Sequence, residues 1–163
     1  MRTYIDIVSK VVDKIAAALT VFPWILAIMI VWEVGLRNIF NLPTIWVHEL
    51  SSMVFGILII MAGAYTLKMN AHINMDLFYG KLSERGKAIA DICTFPLTAA
   101  FCIIIAVYGG EFAYSSLRVG ETSLSEWHPV IWPVKIFLPL GAFVFLLQAI
   151  AKLFSDILTL KKG

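Results

Sequence analysis

The chain has 163 residues, of which 60% are hydrophobic and 15% charged, with a mean hydropathy of +0.87. Soluble domains hold about 45–50% apolar and about 25% charged residues, so this composition excludes an ordinary soluble fold and points to an integral membrane protein. A net charge of +2 is too small to suggest nucleic acid, and with so few charges their positions matter more than their sum.

Four apolar runs approach the roughly 20 residues that a helix needs to cross a bilayer. An open strand would leave backbone groups unpaired in lipid, so all four are predicted to be helices. The first is Ile15–Trp32, IAAALTVFPWILAIMIVW. It is too long for the apolar core of a signal peptide, and no small-residue cleavage site follows, so it is expected to be an uncleaved span. Glu33 and Arg37 stand at its far end, four residues apart with Glu first, and can pair on one helix face. Pro43 and Thr44 precede the second run, Leu50–Leu67, with Thr44 a candidate N-cap. On that run Ser52, Gly56 and Gly63 share a face of small residues, where another helix can approach closely. That helix belongs either to this chain or to a second membrane protein.

Residues 66–82, TLKMNAHINMDLFYGKL, then break the apolar pattern. Polar and apolar residues alternate from His72 to Leu77, which predicts an extended interfacial segment lying against the membrane surface. Ser83 is expected to cap a third helix that starts before the membrane and continues through the run Ile92–Gly110. Cys93 and Cys102 lie on this run about 13 Å apart, too far for a disulfide, and read as small hydrophobes. The segment 111–129 carries Glu111, Glu121 and Glu126 against Arg118. It forms either an acidic rim that steers a basic partner or an ordinary solvated loop. The fourth run, Ile131–Phe154, is interrupted by Lys135, Gln148 and Lys152. Lys135 is expected to snorkel outward along its stem, or to pair with Glu111, Glu126 or a group on a partner. The reading is one all-α membrane domain over 1–163, with spans at about 15–36, 46–67, 88–114 and 130–154.

Lys and Arg set the orientation. Arg2, Lys10 and Lys14 precede the first span. Lys68, Lys81, Arg85 and Lys87 lie between the second and third, and Lys152, Lys161 and Lys162 end the chain. The other two loops hold only Arg37 and Arg118. Both termini and the 68–90 segment are therefore expected on the cytoplasmic side.

The middles of the spans lack the ionisable groups that mark ion or proton pathways. His48, His72 and His128 all fall in loops or at boundaries, which gives no support to a haem arrangement. No metal spacing, nucleophile motif or phosphate loop is present, so neither an enzyme nor a cofactor is expected. No inverted repeat relates the halves, so the chain reads as an accessory or scaffold subunit rather than a pump.

Three stretches carry a family resemblance. LRNIFNLPTIWVHEL resembles a motif of the small DctQ-type permease subunit of tripartite ATP-independent periplasmic (TRAP) transporters, matched at Arg37, Phe40, Asn41, Pro43, Trp46 and Glu49. His48 stands where that motif has the first of two acidic residues. AHINMDLFYGKL resembles a second motif at His72, Ile73, Asp76 and Leu77, with Asn74 in place of the usual basic residue. The run from Trp132 resembles the family's last span at Pro133, Lys135, Pro139, Gly141 and Gln148.

The resemblance implies a small, non-transporting subunit in the bacterial inner membrane. It would serve a large DctM-type membrane subunit that imports an organic acid, a carboxylate or sulfonate, on a sodium gradient. A periplasmic substrate-binding protein would deliver the solute. In that setting Ser52, Gly56 and Gly63 would pack on the large subunit, and Glu121 and Glu126 would help dock the binding protein. Glu33, Arg37, Glu49, His72, Asp76 and Lys135 would hold structural polar positions. Two rival readings are a self-sufficient four-helix exporter, for which Glu33 is a remote candidate coupling carboxylate, and a membrane anchor of an electron-transfer complex.

Overall fold

The computed structural model describes residues 1–69 and 82–162, apart from the side chain of Lys162. The expected interfacial segment, with His72 and Asp76, lies outside the described residues. Among the described residues five helices follow in order: α1 (Arg2–Leu19), α2 (Phe22–Phe40), α3 (Val47–Lys68), α4 (Glu84–Val119) and α5 (Trp132–Lys162). Four helical stretches among them are long and apolar enough to cross a membrane, with α1 and α2 counted as one stretch. No strand occurs among the described residues, only an isolated bridge between Thr122 and Val130.

The first span differs from expectation at its start. The helix begins at Arg2 and breaks at Thr20 and Val21, inside the apolar run, where Pro23 opens α2. Proline suits the first turn of a helix because its missing N–H has no intrahelical acceptor there. Nineteen residues of α2 rise about 28 Å, close to the ~30 Å hydrocarbon thickness. By contrast α1 carries Arg2, Asp6, Lys10, Asp13 and Lys14, and one such charge at mid-bilayer costs about 3 kcal/mol. It is an amphipathic helix suited to the membrane interface. Val8, Val12 and Leu19 are its buried face, and Val8 and Val12 pack on Ala64 of α3 and Ala151 of α5.

The helices form a row in the order α2, α3, α5, α4 rather than a square bundle. The α4–α5 contact is the most extensive, α3 packs on α5, and α2 rests on α3. Small residues make these approaches possible, since lipid gives apolar helices little reason to associate except close packing. On α4 the buried positions are Ala88, Cys102, Gly109, Ala113 and Ser116. Four of them fall at multiples of seven, the repeat of antiparallel helices crossing at a shallow angle. A Cβ on Gly109 would lie 3.2 Å from Leu138. One on Gly141 would collide with the Ile60 side chain and lie 3.0 Å from its carbonyl oxygen.

Helix ends are closed locally. Ser83 caps α4 as expected, its hydroxyl accepting the Gly86 N–H at 3.2 Å. Gly120 (φ +65°) ends α4 in the left-handed region, with Glu121 N–H donating to Ser116 O at 3.0 Å. Asn41 (φ +53°) ends α2 in the same way, a conformation that Asn tolerates better than most residues. Thr44 does not cap α3. The residue before α3 is Trp46, which makes no side-chain cap.

Candidate functional site

The two poles of the row are built differently. At one pole lie the turns 41–46 and 120–131, and side chains lock them to the helices. Both oxygens of the Glu33 carboxylate accept from the Thr44 N–H, at 3.3 and 3.4 Å, and one also accepts the Thr44 hydroxyl. Glu33 therefore closes the α2–α3 turn instead of pairing with Arg37, which is exposed. The turn can meet Glu33 because Asn41 reverses the chain immediately after α2.

Between α4 and α5 the chain folds back on itself. Ile131 N–H donates to Glu121 O at 3.1 Å and Ser123 N–H to Pro129 O at 2.9 Å. This hairpin-like loop is pinned to α3, where the Ser125 hydroxyl donates to the Glu49 carboxylate and Trp127 meets Trp46 at 6.5 Å between rings. It is pinned to α5 by an ion pair between Glu121 and Lys135. Lys135 also sits 3.8 Å from the centre of the Phe112 ring. The partner of Lys135 is thus Glu121, not Glu111 or Glu126. The Lys135 ammonium holds the Glu121 carboxyl below its ordinary value of 4.5.

The two proposed docking carboxylates consequently have different surroundings. Glu121 is committed to Lys135, whereas Glu126 is exposed beside the fully exposed Leu124 at the loop tip. The small residues of α3 are divided as well. Gly63 faces Phe145 of the same chain at van der Waals distance, while a Cβ on Gly56 would meet nothing within 4 Å and Ser52 is exposed.

The opposite pole is held by ion pairs. Lys68 at the end of α3 bonds Asp13 of α1 at 2.5 Å and Ser9 O at 3.3 Å. Tyr4 of α1 stacks edge-on against Phe154, with ring centres 5.7 Å apart, and donates to Leu147 O at 3.3 Å. Lys152 of α5 pairs with Asp91 of α4 at 3.0 Å, and both are mostly buried. None of these contacts was assigned from sequence. The spacing of Tyr4, Val8, Val12, Ile15 and Leu19 was the available sign of an amphipathic helix packing on the row.

Among the described residues no three His, Cys, Asp or Glu side chains gather where a metal ion could be held. Cys93 and Cys102 are free, the first exposed and the second buried. The architecture is that of a multi-pass membrane protein with a thin helical row and one rigidly tied set of loops. The description of the DctQ component of the tripartite ATP-independent periplasmic transporters matches residues 26–159, and the chain belongs to that family. It is also 28% identical over 85 residues to the sialic acid TRAP transporter small permease protein SiaQ of Vibrio cholerae. That match covers 51% of this chain and 49% of the relative, so the chain spans about half the length of the curated relative it matches.

Proposed function

We propose that this chain is the small, non-transporting scaffold subunit of a TRAP transporter. It serves a large membrane subunit that carries an organic acid on a sodium gradient, and a periplasmic binding protein brings that acid to the membrane. Both termini face the cytoplasm, and the loops 41–46 and 120–131 face the periplasm. Family membership supports the assignment. The acidic sugar in the relative's name agrees with an organic acid as solute.

One observation carries the non-transporting part. No Asp, Glu, Lys, Arg or His occurs between Leu50 and Leu67, between Ile92 and Gly110, or between Ile136 and Ala151. A coupled carrier needs groups at mid-membrane that bind its ion and solute. This row offers an apolar interior and a braced frame instead. Gly56 and Ser52, open on α3, are left for the large subunit to cover. Exposed Glu126 is left for the binding protein.

Reconstitution tests the reading. Liposomes holding this chain alone are expected to show no sodium-driven uptake of sialic acid, C4-dicarboxylates or sulfonates. Purification in mild detergent from its native membrane is expected to bring a larger membrane protein in fixed ratio. Gradient-driven accumulation by the chain alone would overturn the proposal.

A further inference from the structure

A long cleft runs along the row with α5 as its floor and α3 and α4 as its walls. Its volume is about 640 Å³, and Thr98, Phe101, Leu138 and Phe145 are among its mostly apolar lining. Asp91, Lys152 and Asp156 close one end. On α4 it extends from Asp91 to Ile105, a rise of about 21 Å. An extended hydrocarbon chain, some 4–5 Å wide by carbon contact distances, lies along such a cleft. The cleft also reaches past the ~15 Å depth of one leaflet's hydrocarbon.

The charged end opens into a second cavity of about 250 Å³, lined by Glu84, Lys87, Asp91, Lys152, Asp156 and Thr159. The two cavities share Asp91, Lys152 and Asp156, so an apolar trough leads directly into a polar chamber. Among the described residues that chamber has three carboxylates and two ammonium groups. Lys152 is bonded to Asp91, and Oδ2 of Asp156 is buried without a hydrogen-bond partner among the described residues. An amphiphile fits this shape, and the excess carboxylate favours a head group that brings its own cation.

We propose that this cleft holds one phosphatidylethanolamine molecule from the cytoplasmic leaflet, an acyl chain in the trough and the ammonium at Asp156. The lipid phosphate then faces Lys87 and Lys152. A phosphatidylglycerol head group supplies no donor of positive charge and leaves Asp156 unmatched. The lipid fills the space that the described residues leave between α3 and α4, so it acts as a packing element of the scaffold. The proposal concerns this chain alone and holds whether or not the organic-acid assignment is right.

The test uses the full-length chain, purified in mild detergent from membranes containing both lipids and weighed intact by native mass spectrometry. One retained phosphatidylethanolamine per chain is expected, surviving detergent exchange that strips phosphatidylglycerol. Asp156→Asn is expected to reduce its retention about tenfold. Thr98→Phe, which fills the trough, is expected to abolish it. Phosphatidylethanolamine with a photoreactive acyl chain should label the segment around Thr98 and Phe101, whatever the variants' stability. Equal retention of the two lipids, retention unchanged in both variants, or labelling confined to α2 would overturn the proposal. So would a photocrosslinker at Thr98 that captures a protein partner instead of lipid.

Discussion

Lys135 illustrates how a charge near a membrane interface is settled by one residue. Its position just inside α5 is evident from the sequence, and so is the need for a partner. The choice of Glu121 is not, because it depends on Gly120 turning the chain so that residue 121 returns beside Ile131. Glu33 poses the same problem: Arg37 is its nearest helical neighbour, yet the Asn41 turn brings Thr44 closer. The Glu121 pair has a pH signature. A carboxyl held below its ordinary value of 4.5 contributes stability that is fully present above that value. This stability is lost as pH falls through the lowered value. Glu121→Gln is therefore expected to lower the thermal midpoint at pH 7, with the difference from the parent chain shrinking as pH falls below 4.5 and through the lowered value. Tryptophan emission from Trp46 and Trp127, which meet at this loop, would report it. A deficit that stays constant with pH would show that the ion pair is not the source.

At the scale of the helix, the close approaches decide which glycines matter. Gly141 on α5 admits the Ile60 backbone, whereas Gly56 on α3 faces open space. Gly141→Ala is expected to destabilise the isolated chain by about 1–3 kcal/mol, the usual range for overpacking. Gly56→Ala should stay within about 0.5 kcal/mol. Comparing unfolding midpoints in detergent checks both, and equal effects would contradict the packing described. If α3 presents Gly56 to a large subunit, Gly56→Leu should leave the isolated chain intact but reduce co-purification. The end of α4 is simpler: Ser83→Ala should cost about 1 kcal/mol, because the Gly86 N–H loses its acceptor. That cap was legible, since a Ser ahead of a helical pattern is a local signal. The α1–α2 break was not, because Ile15–Leu19 and Phe22–Trp32 read as one continuous apolar run. The seven-residue recurrence of Ala88, Cys102, Gly109 and Ser116 was present in the sequence, but small residues mark a packing stripe only once the facing helix is known.

At the scale of the whole molecule, a row one helix thick has two broad apolar faces, and α3 and α5 are flanked on both sides. The number of spans could be read from hydropathy, because lipid permits only helices there. Their lateral order could not, because apolar helices in lipid carry no pattern that names their neighbours. The poles can be ordered physically. The loop pole has Arg37, Arg118 and Lys135 as its basic residues, while the opposite ends carry Arg2, Lys10, Lys14, Lys68, Arg85, Lys87, Lys152 and Lys161. Basic residues close to span ends are retained on the cytoplasmic side, so the loop pole should be periplasmic. In a chain with Cys93 and Cys102 replaced by Ala, Leu124→Cys at the exposed loop tip should react with a membrane-impermeant maleimide in intact spheroplasts. Thr159→Cys, near the end of α5, should react only after permeabilisation. Because Glu49–Ser125 and Glu121–Lys135 tie the same loop to α3 and α5, both spans must share one orientation. Reversed labelling would therefore invert the whole row and place α1, with its Lys10 and Lys14, on the wrong surface. The assignment of a scaffold serving a periplasmic binding protein would then fail as a unit.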